Sequence, residues 1–154
     1  MHPITYIRID PTDPSLAAIL ASHAAHGDTH YPAESNHHLD GAALASEGVV
    51  LFVGRAGGEI VAMGGYKILS AGAGEVKSMH VTKAARGQGA AARILSLILE
   101  HARAAGLQRL SLETGSLDAS APARRLYERA GFSDCPPFGD YAPDPMSVFM
   151  TRLL

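Results

Sequence analysis

The stretch Glu75-Val76-Lys77-Ser78-Met79-His80-Val81-Thr82-Lys83-Ala84-Ala85-Arg86-Gly87-Gln88-Gly89-Ala90-Ala91-Ala92-Arg93-Ile94-Leu95 changes its hydrophobic pattern part-way along. Up to Val81 it reads as a strand. From Gln88 to Ala105 the apolar positions Ala91, Ile94, Leu95, Ile98 and Ala102 follow the i, i+3, i+4, i+7 spacing of an amphipathic helix, and Gly106 stands where a left-handed glycine closes one. Between the two lies Arg86-Gly87-Gln88-Gly89-Ala90-Ala91. The first turn of a helix leaves backbone N–H groups without intrahelical acceptors, and the aligned peptide dipoles add a partial charge of roughly +0.5 there. With no side chains at 87 and 89, phosphate oxygens such as those of a pyrophosphate can approach these groups. Glycines at a strand-to-helix turn also occur as plain loop geometry, so this turn alone leaves both readings open.

Working outward, Leu107 to Thr114 alternates Leu110 and Leu112 and reads as a strand. Its connection through a helix makes it parallel to the strand beginning at Glu75, because an antiparallel neighbour needs only a short turn. Pro122 near a helix start precedes Arg124 to Ala130, closed by Gly131, and Ser147 to Leu153 forms a last strand. Upstream, Val49 to Arg55 and Glu59 to Leu69 flank Ala56-Gly57-Gly58 as a hairpin, and Gly72-Ala73-Gly74 marks a second turn. Ile4 to Ile9 opens the chain as a strand, and Leu16 to Ala25 is helical after Asp13-Pro14-Ser15. His26 to Asp40 lacks a period and reads as a loop leading to a short helix at Leu39 to Ala45.

The glycine turn resembles the acetyl-CoA-binding motif of the Gcn5-related N-acetyltransferase (GNAT) family, Gln/Arg-x-x-Gly-x-Gly/Ala, here Arg86, Gly89 and Ala91. The resemblance extends to Met79-His80-Val81 and to the segment Ala123 to Phe132, which is similar to the family's second signature, and covers about residues 75 to 132. It implies an α/β (α+β) fold in one domain over residues 1–154: a mixed, mostly antiparallel sheet, helices on both faces, and a splayed pair of parallel strands holding acetyl-CoA. It also implies the cofactor-binding set Met79, His80, Val81, Arg86, Gly87, Gln88, Gly89, Ala90, Ala91 and Ser120, with Met79 and Val81 acting through their backbone. Ser120 departs from the family, which often has asparagine there; a hydroxyl lacks the amide's paired donors. Proteins resembling this one are frequently homodimers.

An amine acceptor arrives mostly as an ammonium and needs a base, and the departing thiolate needs a proton. The resemblance assigns the proton to Tyr127; the bland role is ring packing near Leu126 and Phe132. Glu75, at a spacing similar to the catalytic glutamate of the histone-type branch, is the expected base. Alternation puts residues 75, 77, 79 and 81 on one side of the strand, so Lys77 can instead hold Glu75 in a surface ion pair. Glu113 is the next candidate. On the acceptor side the resemblance points to Tyr31, Glu34 and His37, with Phe138-Gly139-Asp140-Tyr141 opposite; Glu34 and Asp140 there would favour a cationic acceptor.

Composition narrows the classes. Apolar residues make up 47% of 154, enough for a core. With 13 Lys and Arg against 15 Asp and Glu, the chain lacks the basic footprint of a nucleic-acid binder. Cys135 is the only cysteine, which excludes an internal disulfide and a thiolate cluster, and no apolar run is long enough for a membrane span. A soluble cytoplasmic protein is expected. His23, His26 and His30, with Asp28, Glu34, His37 and His38 nearby, would suggest a metal, but Gly27 interrupts a helix that would align them, and none is expected. The expected function is acetyl transfer from acetyl-CoA to a primary amine of a small molecule or peptide. A non-catalytic acyl-CoA sensor and a metal-dependent hydrolase are the alternatives.

Overall fold

The computed structural model describes residues 2–30 and 40–154. In chain order its elements are β1 (Thr5–Ile9), α1 (Ala17–His30), α2 (Gly41–Ser46), β2 (Val50–Ala56), β3 (Glu59–Ser70), β4 (Ala73–Val81), α3 (Ala90–Ala104), β5 (Arg109–Gly115), α4 (Ala121–Arg129), β6 (Ser133–Asp134) and β7 (Ser147–Leu153). The strands form one sheet in the order β1-β2-β3-β4-β5-β7-β6, antiparallel throughout except for the β4–β5 pair.

Alternating side chains send the sheet's apolar residues to two cores. Phe52, Ala62, Tyr66, Val76, Leu110 and Leu112 pack with Ile94, Leu95, Ile98 and Ala102 of α3. Leu51, Val53 and Met63 point the other way, onto Leu16, Ile19 and Leu44 at the α1 and α2 layer. Helices therefore cover both faces, as the resemblance implied.

Two local expectations are corrected. Helix α1 does not stop at Ala25 but runs through Gly27 to His30. A single interior glycine costs about 1 kcal/mol of helix propensity and does not forbid the helix. Ring contacts from His23 and His26 to His80 on β4, with centroids at 5.0 and 6.0 Å, hold this last stretch against the sheet.

The second correction concerns β4. Met63 pairs with His80 and Gly65 with Lys77, so Ser78 and Met79 together oppose Gly64 alone. This is a β-bulge, and Ser78 sits in it at φ 60°, a left-handed conformation rare outside glycine. The extra residue reverses the alternation. Glu75 and Lys77 lie on the α1 face, as does His80, whereas Met79 turns to the α3 face and packs on the same core as Val81. The expected common side for residues 75, 77, 79 and 81 fails because one inserted residue flips every side chain that follows.

Gly64 makes room for the flipped Met79: a Cβ there would lie 2.3 Å from the Met79 sulfur and 2.7 Å from Ile94. Gly64→Ala is expected to lower stability in urea unfolding by about 1–3 kcal/mol, the usual range for overpacking a filled core.

Candidate active site

The β4–β5 ladder is short. Ala73 pairs with Arg109, Gly74 with Leu110 and Glu75 with Ser111, and no pairing between these strands continues beyond that. From there β5 stays with β7 as far as Gly115 and Ser147, while β4 follows β3 through its bulge. Hydrogen bonds hold the far end of β5 in place: Arg124 donates to the carbonyls of Gly115 and Leu117 at 2.6 and 2.9 Å, and the Ser116 hydroxyl donates to that of Pro145 at 2.7 Å. The gap opens into a cleft of about 640 Å³ lined by both strands, the β4–α3 turn, the start of α4, α1 and the segment before β7.

At one end of the cleft is the glycine turn. Gly87 and Gly89 lie at φ 81° and 77°, and a Cβ at either would meet open space, so conformation and not crowding calls for glycine. Gly89 is the N-cap of α3 and has no side chain to cap it; the first helical bond is Arg93 N–H to the Gly89 carbonyl at 3.1 Å. The N–H groups before it are left to a ligand or water. Arg86, Gly87, Gly89, Ala90 and Ala91 line the cleft, as does Ala92. Gln88, expected with them, is not a lining residue; its amide reaches back towards the Ala84 carbonyl at 3.5 Å.

Met79, Val81, Ser120 and Tyr127 line the middle of the cleft. Tyr127 is 5% exposed and its ring packs edge-on to Phe132, with centroids 5.9 Å apart. Burial pushes its phenol well above the ordinary tyrosine range, so it stays protonated. The ring is core, and the side chain borders the cleft.

On the α1 face, Glu75, Lys77 and Tyr141 converge. Tyr141 Oη donates to Glu75 Oε2 at 2.5 Å, and Lys77 Nζ lies 3.4 Å from the same oxygen. The expected surface ion pair is in fact buried, with Glu75 2% exposed, and Tyr141 from the loop before β7 lies against it. Glu113 lines the same cleft and accepts from the Ser147 hydroxyl at 2.7 Å. Asp140 does not line it; the side chain is exposed, so its expected contribution to a cationic acceptor site falls away. Tyr31, Glu34 and His37 lie outside the described residues.

The His80 ring faces α1, with Nε2 2.9 Å from the Ser22 hydroxyl. His23 and His26 line the cleft beside it. The His26 contact needs the helix that Gly27 was expected to interrupt, so it was not foreseen; the spacing of three between His23 and His26 was the available signal. Although His26 and His30 also stack at 4.6 Å, no group of three His, Cys, Asp or Glu side chains among the described residues is arranged to hold a metal.

A strand-to-helix anion turn opening on two diverging parallel strands is the arrangement of a known family, and the model described as the acetyltransferase (GNAT) family matches residues 15–132. This chain belongs to the GNAT family. It is 41% identical to the IAA acetyltransferase of Azospirillum brasilense over 155 residues, covering 100% of each chain. A Klebsiella pneumoniae structure described as a candidate acyl-CoA N-acyltransferase aligns at TM-score 0.79 and 30% identity, covering 98% of this chain and 97% of that one. The fold is shared as well with yncA, a candidate acetyltransferase of Salmonella typhimurium solved with its cofactor acetyl-CoA, at TM-score 0.71 and 20% identity over 97% of this chain and 93% of that one. The GNAT chain is thus an acetyl-CoA-dependent acetyltransferase.

Burial, and after it the neighbouring His23, His26 and Arg86, lowers the His80 pKa from 6.5 to about 4. Between those values the unfolded chain binds the proton that the folded GNAT enzyme refuses, so this contribution is complete above about 6.5 and lost as pH falls through about 4. Urea unfolding is expected to show a loss on the order of 1–3 kcal/mol across that window. His80→Gln should flatten that part of the stability profile.

Proposed function

We propose that this enzyme moves an acetyl group directly from acetyl-CoA to a primary amine of a small molecule or peptide, both bound together in the cleft, within one acetyltransferase domain over residues 1–154. The observation that carries the reading is the early end of the β4–β5 ladder beside the uncapped start of α3. A thin, elongated ligand with an anionic end fits a gap between strands that finishes at free N–H groups. Acetyl-CoA supplies an acetyl group activated as a thioester.

In this reading the backbone amides from Arg86 to Ala91 seat the pyrophosphate, with Ser120 bordering the path from the start of α4. The backbone of Met79 and Val81, on the side of β4 that β5 has left, hydrogen-bonds the pantetheine arm and faces the thioester carbonyl. An N–H aimed at that oxygen interacts more strongly as it gains negative charge, which lowers the barrier more than it aids ground-state binding. Glu75, directly or through a water, takes the proton that the ammonium must lose before nitrogen can bond to the carbonyl carbon. Glu113 is the alternative base. As the carbon–sulfur bond breaks, Tyr127 gives its proton to the sulfur; its buried phenol holds that proton until a comparably basic thiolate forms beside it.

Tyr141 and Glu113 would flank the acceptor on the α1 face, with His23 and His26 opposite. Tyr31, Glu34 and His37 remain proposed as acceptor contacts. A cytoplasmic setting suits the single free Cys135, and no helix among the described residues is long and apolar enough to cross a membrane.

Calorimetric titration of CoA into the folded protein tests the donor half: binding is expected, and none would overturn the reading. Tyr127→Phe is expected to lower kcat by roughly 10²–10⁴-fold with the CoA affinity nearly unchanged, the range for loss of a positioned proton donor. An unchanged kcat would remove Tyr127 from the mechanism. For the acceptor, thiol release should be followed across amino acids, polyamines, peptide N-termini and IAA, the last because it appears in the name of the A. brasilense relative. Acetylation of IAA with no amine turned over would overturn the amine assignment.

A further inference from the structure

Both hydrogen bonds that Glu75 accepts from side chains fall on one oxygen. Tyr141 Oη donates to Oε2 at 2.5 Å and Lys77 Nζ to the same atom at 3.4 Å, while Lys77 also donates to the Tyr141 oxygen at 3.3 Å. Oε1 accepts from no described side chain, and Glu75 lines the cleft. The carboxylate is therefore held by one oxygen among the described side chains.

Tyr141 reaches this position from 66 residues away in sequence. Its ring sits between Phe138 and Phe149, with centroids at 5.2 and 5.5 Å, and Phe138 meets Phe149 at 5.9 Å. The surrounding loop has no strand or helix but is pinned at both ends: Cys135 N–H donates to the Phe149 carbonyl at 2.9 Å and Ser147 N–H to that of Asp144 at 2.9 Å. Pro136, Pro137, Pro143 and Pro145 restrict its backbone further. A phenol mounted in this way loses little freedom on making its hydrogen bond.

We propose that Tyr141, together with Lys77, is a positioning residue for Glu75: the pair fixes Oε2, turns Oε1 towards the acceptor nitrogen and supplies two donors, one of them a cation, to the buried carboxylate. This rests on the reading of Glu75 as the base. The physical reason is that a carboxylate removed from water favours its neutral form unless donors and a cation oppose the loss of solvation. Burial, and after it the Glu75 carboxylate, pushes the Tyr141 phenol far above its ordinary range, so the phenol remains a donor throughout the working pH. Among the described residues, the other charged groups facing this cluster are Glu113 on β5, Glu47 at the end of α2, and Lys67, which is the register partner of Glu75 on β3 and pairs with Glu47. His23, His26 and His80 border the same cleft.

The test uses the full chain with acetyl-CoA and the best acceptor from the amine panel. Tyr141→Phe keeps the ring stack and removes the donor. The expected result is an unchanged CoA affinity, a fall in kcat/KM for the acceptor of roughly 10- to 100-fold, and an acidic limb of the kcat/KM profile displaced upward by about one pH unit. A merely structural tyrosine would lower activity without moving the limb. Lys77→Met removes the other donor to the same oxygen and should move the limb in the same direction, which keeps the question open to measurement if Tyr141→Phe folds poorly. An unmoved limb in a folded variant of either kind overturns the positioning role. Glu75→Gln separates the two layers: it should abolish the limb, and full activity in that variant would sink the assignment of Glu75 as base.

Discussion

The β4–β5 ladder stops after the pairing of Glu75 with Ser111, and the chemistry of this protein depends on that interruption. Two parallel strands paired over their full length would consume every backbone donor and acceptor between them. Here β5 continues with β7 and β4 continues with β3, each satisfied on its outer edge, and the inner edges separate. The fold thus stays hydrogen-bonded where stability requires it and exposes main-chain groups along a single seam. The bulge at Ser78 and the anchoring of the β5–α4 connection by Arg124 act on opposite walls of that seam.

The same bulge divides the cleft by side-chain character. Before it, Glu75 and Lys77 project to the α1 face; after it, Met79 projects into the apolar layer beneath α3. A polar wall and a non-polar wall therefore come from one short strand, with Tyr127 entering from α4 next to the latter. The proposed direct transfer would use this asymmetry: charge would be managed on the acceptor nitrogen, while water would be kept from the thioester.

Polar groups on the α1 face find hydrogen-bond partners from other elements. Glu75 has Tyr141 and Lys77, Glu113 has Ser147, and His80 has Ser22. Apart from Lys77, these partners are distant in sequence, so the arrangement forms only when the sheet and both flanking segments are assembled.

By itself the sequence determined the order of the secondary elements, the parallel relation of β4 to β5, and the glycine turn at the start of α3. These are local properties: the hydrophobic period changes from strand to helix across the turn, and the positive φ at positions 87 and 89 suits glycine. Tyr127 and Glu75 were legible as members of a motif. Tertiary structure decided the rest. Glycine at 27 suggested a helix end, but packing of the histidines against β4 outweighed its weak propensity. Ser78 gives no sign in its residue type of the left-handed bulge that it occupies, because the bulge comes from fitting Met79 against Gly64 and α3. Nor does any local pattern tie Tyr141 to Glu75, since their hydrogen bond exists only after the aromatic stack and the sheet have brought the two segments together.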